Sequence, residues 1–86
     1  MLPARGTIIC SKAGRDNGKF MIVLGSEKGM ILVADGKERP LERPKLKNIK
    51  HISLTSHTVS EEQMLTNRSI RHALIDFQSL HCQGEI

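Results

Sequence analysis

The residues of this chain whose types and spacing could bind an anionic ligand are those of the run Gly14-Arg15-Asp16-Asn17-Gly18-Lys19. Its two glycines allow positive φ, where a Cβ atom would clash. Asp-Asn-Gly is typical of a tight hairpin turn, and a cation stands on either side of it. We therefore predict a rigid, basic hairpin that can bind phosphates. We expect Gly14, Asp16 and Gly18 to shape the turn, and Arg15, Asn17 and Lys19 to contact the phosphates.

The same run does not fit a nucleotide-binding phosphate loop. Three residues separate Gly14 from Gly18 where that loop has four, and Phe20 replaces the Ser or Thr that would hold magnesium. The apolar segment that follows is typical of a strand and not of a helix N-terminus. A nucleotidase is therefore disfavoured.

A second cationic element lies in residues 37–50, where six lysines or arginines accompany only Glu38 and Glu42. Pro40 and Pro44 stiffen this stretch, so it loses less conformational entropy on binding. The alternative interpretation is a charged edge strand that resists aggregation. We predict that this segment completes the polyanion-binding surface of which the hairpin is one half.

The other groups of potentially reactive residues predict neither catalysis nor metal binding. The four histidines and Cys82 show no CxxC, HxxxH or HxH spacing, so we expect no metal. Ser, His and Asp are present but not clustered, and no thiol–imidazole or carboxylate pair suggests a mechanism. We expect no enzyme activity, no cofactor and no small-molecule substrate.

Charge is distributed unevenly along these 86 residues, which suffice for one domain. Residues 1–51 contain 11 lysines or arginines against 5 acidic residues, a net charge of +6, whereas residues 52–86 contain 2 against 4, a net charge of −2. A clustered basic surface favours a nucleic acid over an anionic membrane as partner. No apolar run exceeds five residues and no secretory leader is visible, so we expect no membrane span and a cytoplasmic location.

Short apolar segments between turn signals predict the elements that position these cations. We expect strands over residues 6–12, 19–25, 30–34, 37–41 and 50–54, the fourth at an edge because Pro40 cannot donate to a ladder. Asp35-Gly36 predicts a further hairpin turn. Five short strands at this spacing are typical of a small antiparallel barrel.

The periodicity changes after Thr55. Residues 58–61 and 60–63 both have capping-box form, which predicts a short helix over 59–65, and Thr66 or Asn67 can cap a second helix that ends near Gly84. An apolar stripe on that helix consists of Ile70, Ala73, Leu74 and Phe77. The stripe either covers the barrel or forms a partner groove. We also expect Phe20 and Phe77 to lie in the core, which leaves no aromatic platform for base stacking.

Residues 5–24 resemble a KOW motif, in which an apolar strand, Gly-x-Asp-x-Gly-Lys and a second apolar strand follow one another. Leu32-Val33-Ala34-Asp35-Gly36, the basic residues after it and Pro44-Lys45 are similar to KOW-containing large-subunit ribosomal proteins of archaea and eukaryotes, and to their small bacterial relatives. The resemblance covers about residues 5–54. It implies an SH3-like barrel, RNA binding and association with the ribosome.

The sequence therefore predicts a mainly β protein, with a five-stranded antiparallel SH3-like barrel in residues 1–56 and one or two short helices in residues 57–86. The leading hypothesis is a ribosomal-RNA-binding module, whose helix could contact ribosomal proteins. The alternative is a protein-interaction module of transcription or translation, in the manner of NusG-type KOW domains. The predicted RNA-binding residues are Lys12, Arg15, Asn17, Lys19, Lys37, Arg39, Arg43, Lys45, Lys47 and Lys50, and the turn residues are Gly14, Asp16, Gly18, Asp35 and Gly36.

Overall fold

Five antiparallel strands form one sheet, and one long helix packs against it. The computed structural model describes residues 2–82, with side chains described through residue 80. The strands are β1 (Thr7–Ser11), β2 (Phe20–Glu27), β3 (Met30–Ala34), β4 (Lys45–Lys47) and β5 (Ile52–Thr58), and the helix is α1 (Asn67–Cys82). Three 3-10 turns cover Gly14–Asp16, Ile49–His51 and Glu62–Met64. These elements confirm the prediction of a mainly β protein with five antiparallel strands and a C-terminal helix.

The sheet is strongly curled although it is not closed. Its strand order is β4-β3-β2-β1-β5, so the two edge strands are consecutive in sequence. Five flat strands would hold the edges about 19 Å apart. The five residue steps from Lys47 to Ile52 include a 3-10 turn, so at about 2 Å per residue in the turn and about 3.3 Å elsewhere they can span no more than about 13 Å. The edges must therefore approach each other. No pairing joins β4 to β5 among residues 2–82, so the sheet remains open.

Both faces of the sheet are buried, which explains why β2 is apolar at consecutive positions. Along β2, Met21 and Val23 pack in a cluster formed by strand residues on the inner side of the curl. Ile22, with Phe20 and Leu24 beside it, packs on the other side against Ile70, Leu74 and Phe77 of α1. The apolar stripe of the helix thus covers the outer face of the sheet.

The fourth strand lies elsewhere than residues 37–41, where the sequence places it. Asp35 Oδ1 accepts hydrogen bonds from the backbone N–H groups of Lys37 and Arg39, at 2.8 and 2.9 Å, and folds this segment into a loop. The strand forms instead at Lys45–Lys47, where Lys47 pairs with Ile31 and Lys45 pairs with Val33. A carboxylate that accepts two nearby backbone N–H groups competes with ladder formation, and in this segment the loop forms instead of the strand.

The first predicted helix is a single 3-10 turn, Glu62–Met64, instead of a helix over 59–65. Its capping box is nevertheless present, because the Ser60 N–H donates to Gln63 Oε1 and the Gln63 N–H donates to Ser60 Oγ. A second reciprocal pair between Thr66 and Ser69 caps α1. The predicted end near Gly84 lies outside the described residues. Within residues 2–82, no helix is both long enough and apolar enough to cross a membrane.

Candidate nucleic-acid interface

The loop between β1 and β2, residues 12–19, contains a 3-10 turn followed by a type II turn. The Lys19 N–H donates to the Asp16 carbonyl at 2.9 Å, and Asn17 has φ −53° and ψ 126° while Gly18 has φ 87°. These dihedral angles are those of a type II turn, whose third position requires positive φ. The Asn-Gly pair therefore forms part of a longer loop instead of a two-residue hairpin.

Asp16 ties this loop to the second basic segment. Its side chain is 3% exposed, and its Oδ2 lies 3.2 Å from Arg39 Nη2 and 3.7 Å from Lys47 Nζ. Lys47 Nζ also donates to the Ala13 carbonyl at 3.1 Å. One buried carboxylate thus draws together two cationic segments that are more than twenty residues apart in sequence. From the sequence, Asp16 is predicted only as a turn residue.

Three of the predicted RNA-binding cations have acidic partners within the protein. Lys47 is predicted to bind RNA, but its side chain is only 8% exposed, so its ammonium is not available to a phosphate. Arg39 is 27% exposed and shares Asp16. Lys19 pairs with Glu38. A hydrogen bond to Glu38 raises the pKa of Lys19, and the same bond holds the pKa of Glu38 below its usual value.

An open groove of about 500 Å³, which we call the basic groove, lies between the loop and β4. Arg15, Lys45 and His51 line it, and the Asp16–Arg39–Lys47 cluster lies along it. The Lys12 N–H donates to the His51 carbonyl at 2.8 Å and holds the loop against the turn Ile49–His51. The groove therefore combines cations from both basic segments.

Four predicted cations remain exposed at or beside this groove. They are Lys12, Arg15, Lys45 and Lys50. Within the described part of the chain, no hydrogen bond or ion pair engages their charged groups. Because the internal carboxylates are already paired with other cations, these four charges are available to an external anion.

The other predicted site residues lie outside the basic groove. Asn17, Lys37 and Arg43 are exposed. Lys37 lines a second depression, which extends from the loop to α1 and also contains Phe20 and Arg71. Phe20 is half-buried, with its ring 5.0 Å from that of Phe77 at an interplanar angle of 66°. The prediction that both phenylalanines are core residues thus holds for Phe77 and only in part for Phe20.

Two residues that line the grooves, His51 and Arg71, are not among the predicted site residues. Neither belongs to a recognisable motif, since His51 simply follows a basic run and Arg71 lies within the helical segment. Among residues 2–82, no group of three or more His, Cys, Asp or Glu side chains is arranged to hold a metal ion.

Comparison with known proteins identifies no family for this chain: no protein-family model matches it, and no curated protein matches it.

Proposed function

We propose that this protein binds RNA and that the basic groove contacts the phosphate backbone. The observation that carries the proposal is the convergence of Arg15 and Lys45, from separate segments, beside a buried carboxylate whose charge is already balanced. Lys12 and Lys50 extend the same surface. Exposed, unpaired cations on fixed backbone are suited to phosphates, which supply most of the affinity in nucleic-acid complexes.

The fold proposed for this function is an SH3-like barrel of the KOW type. Support comes from the curled sheet and from the 3-10 turn that links its two edge strands. The KOW-like residues 5–24 occupy β1, the loop and β2, so the resembling segment supplies one wall of the groove. By the same resemblance we propose ribosomal RNA as the target and the cytoplasm as the location.

The alternative of a protein-interaction module has less support. That hypothesis assigns affinity to the apolar helical stripe, but Ile70, Ala73, Leu74 and Phe77 are between 0% and 8% exposed. They pack against Ile8 and Ile22 of the sheet. The stripe is therefore occupied within the chain and does not offer the partner groove that this hypothesis requires.

The test compares two double variants of equal charge. Arg15→Gln/Lys45→Gln removes two cations from the basic groove, whereas the control Lys28→Gln/Arg68→Gln removes two exposed cations that do not line it. Binding to a labelled, fully paired RNA duplex is measured by fluorescence anisotropy between 50 and 300 mM salt. Circular dichroism checks that both variants remain folded.

We expect the groove variant to lose about tenfold or more in affinity at 0.1 M salt, because each lost phosphate contact removes roughly 0.7–0.9 from the slope of log K against log salt. The control should keep nearly the wild-type slope. Equal losses in the two variants would show that overall charge, and not the groove, determines binding. Sedimentation with ribosomal subunits at graded salt tests the ribosomal target separately.

A further inference from the structure

The second depression differs from the basic groove in its chemistry. We call it the helix-side groove, and its volume is about 690 Å³. Its lining includes Phe20, Leu74 and Ile75, together with Lys37 and Arg71. This volume lies within the roughly 300–1,000 Å³ of pockets that hold small organic ligands. An apolar floor beside cations is suited to a ligand with one flat, apolar part and one anionic part.

The apolar floor is rigid and accessible. Phe20 is held by its edge-on contact with the ring of Phe77, which is buried in the core. Ile75 is 58% exposed although the neighbouring Leu74 is 4% exposed. A half-buried ring and an exposed branched side chain thus lie in one groove, where a planar group could cover both.

The charge of the helix-side groove is positive once its internal contacts are considered. Glu38 is paired with Lys19, and Asp35 Oδ1 accepts two backbone N–H groups. Arg71 Nη1 donates to the Gly36 carbonyl at 2.8 Å, which fixes the guanidinium at the rim. Lys37 has no acidic partner within hydrogen-bonding distance among the described residues. Because Lys19 and Glu38 cancel each other and Asp35 offsets one further cation, Lys37 and Arg71 leave the lining with a net charge of about +1 toward a ligand.

The loop 12–19 forms a ridge between the two grooves. Gly14, Arg15 and Asp16 line the basic groove, whereas Gly18 and Lys19 line the helix-side groove. A polyanion that occupies the first groove therefore needs to cross only the width of this loop to reach the second. The second groove could then hold a part of the same ligand that is not base-paired.

We propose that the helix-side groove binds one unpaired nucleotide of the RNA, with its base over Phe20 and Ile75 and its phosphate near Lys37 and Arg71. This inference rests on the proposed function and specifies its ligand: a double-stranded RNA with a bulged or looped-out nucleotide. Unstacked bases are recognised in RNA by aromatic side chains and by arginine planes. An isolated, fully paired helix has no base to offer to this groove.

The test compares two RNA duplexes made of separate strands, which are identical except for a single-nucleotide bulge. We expect wild-type protein to bind the bulged duplex about tenfold more tightly, the effect typical of one base on an aromatic side chain. Ile75→Asp should abolish this preference. The matched control is Leu80→Asp, because Leu80 lies on the same helix, is 76% exposed and does not line the groove. Phe20→Leu, which removes the ring but keeps an apolar side chain, should also lose the preference.

A second measurement examines the groove without RNA. Titration with adenosine monophosphate should shift the amide resonance of Gly18 and the side-chain amide of Gln78, while inorganic phosphate alone should leave Gln78 unchanged. Shifts caused by a short peptide of leucine and glutamate, with none from the nucleotide, would assign the groove to a protein partner and overturn the inference.

The outcomes separate this inference from the proposed function. Equal affinity of wild-type protein for the two duplexes, with a normal salt slope, overturns the nucleotide site in the helix-side groove and leaves the proposal for the basic groove intact. A bulge preference that survives Ile75→Asp also overturns it. Absence of binding to either duplex overturns both proposals.

Discussion

At the scale of single residues, Asp16 determines which cations can act outside the protein. A buried carboxylate is costly unless cations and hydrogen bonds compensate it, and here Arg39 and Lys47 both do so. The sequence does not reveal this role, since Asp before Asn-Gly is also typical of an ordinary turn. It likewise does not reveal that Lys47 is buried, because lysine is rarely found inside.

We predict that Asp16→Asn destabilises the protein by about 3 kcal/mol, because the buried Lys47 ammonium then lacks an anionic partner. Urea denaturation followed by circular dichroism measures the change. The control is Asp76→Asn, at an exposed position of α1, which should change stability by less than about 0.5 kcal/mol.

Adding Lys47→Met to Asp16→Asn should restore part of the lost stability, since the buried charge is then removed together with its partner. If the two substitutions destabilise additively instead, the ion pair does not account for the loss.

Glu38 offers a test of the pairing with Lys19. The hydrogen bond from Lys19 lowers the pKa of Glu38 below its usual 4.5. Because the folded-state pKa is lowered, the stabilisation is present above about pH 4.5 and disappears as the pH falls through the folded-state value. Carboxyl NMR should show this low pKa, and Lys19→Gln should return it toward 4.5. An unchanged pKa in that variant would contradict the pairing.

At the scale of elements, the loop after β3 and the start of α1 are fitted closely together. Gly36 has φ 77°, and a Cβ atom there would overlap the Asn67 carbonyl oxygen. Asn67 Oδ1 in turn accepts the Leu41 N–H at 2.7 Å, and Asn67 Nδ2 donates to Glu42 at 3.0 Å. The first turn of the helix therefore fixes the path of the basic segment that leads to β4.

We predict that Gly36→Ala is much more destabilising than Gly18→Ala. Both glycines have positive φ, at 77° and 87°, so both substitutions cost about 1–2 kcal/mol in backbone strain. Only Gly36 also meets backbone, whereas a Cβ atom on Gly18 has nothing within 4 Å. Overpacking should add about 1–3 kcal/mol at Gly36.

Thermal unfolding of the two glycine variants measures the difference. Similar melting temperatures would mean that the helix moves away from the loop at little cost.

The elements differ in how well the sequence predicts them. Four strands and the helix follow from apolar periodicity and capping residues, which report local structure. The position of β4 does not follow, because Lys45-Leu46-Lys47 has only one apolar residue and its pairing with β3 depends on distant partners. The meeting of the two basic segments was predicted as a shared surface, but the contacts that create it are tertiary and include a buried lysine.

At the scale of the whole molecule, the sheet depends on α1 to cover its outer face. Ile70, Leu74 and Phe77 are each at most 8% exposed. Burial of such side chains contributes about 1.5–3 kcal/mol each. Their sum approaches the entire stability of a small domain, about 5–15 kcal/mol.

We therefore predict that a chain ending at residue 66 does not fold stably, because Ile8 and Ile22 would lose their cover. Loss of the cooperative thermal transition and binding of a hydrophobic dye are the measurements. A chain ending at residue 82 is the control and should behave as the full chain does. A cooperative transition in the shorter chain would show that the curled sheet is stable by itself.

The position of β1 between β2 and β5 also has a consequence for the order of folding. During synthesis β2 is available to pair with one edge of β1 soon after β1 is made. The other edge of β1 has no partner until residues 52–58 have been added. Until then the apolar strand Thr7–Ser11 has one open edge, the kind of surface that pairs with other chains. The nascent chain is thus most prone to aggregation while residues 37–50 are being synthesised. By then several cations of the preceding residues are already present, and their mutual repulsion opposes association with neighbouring chains.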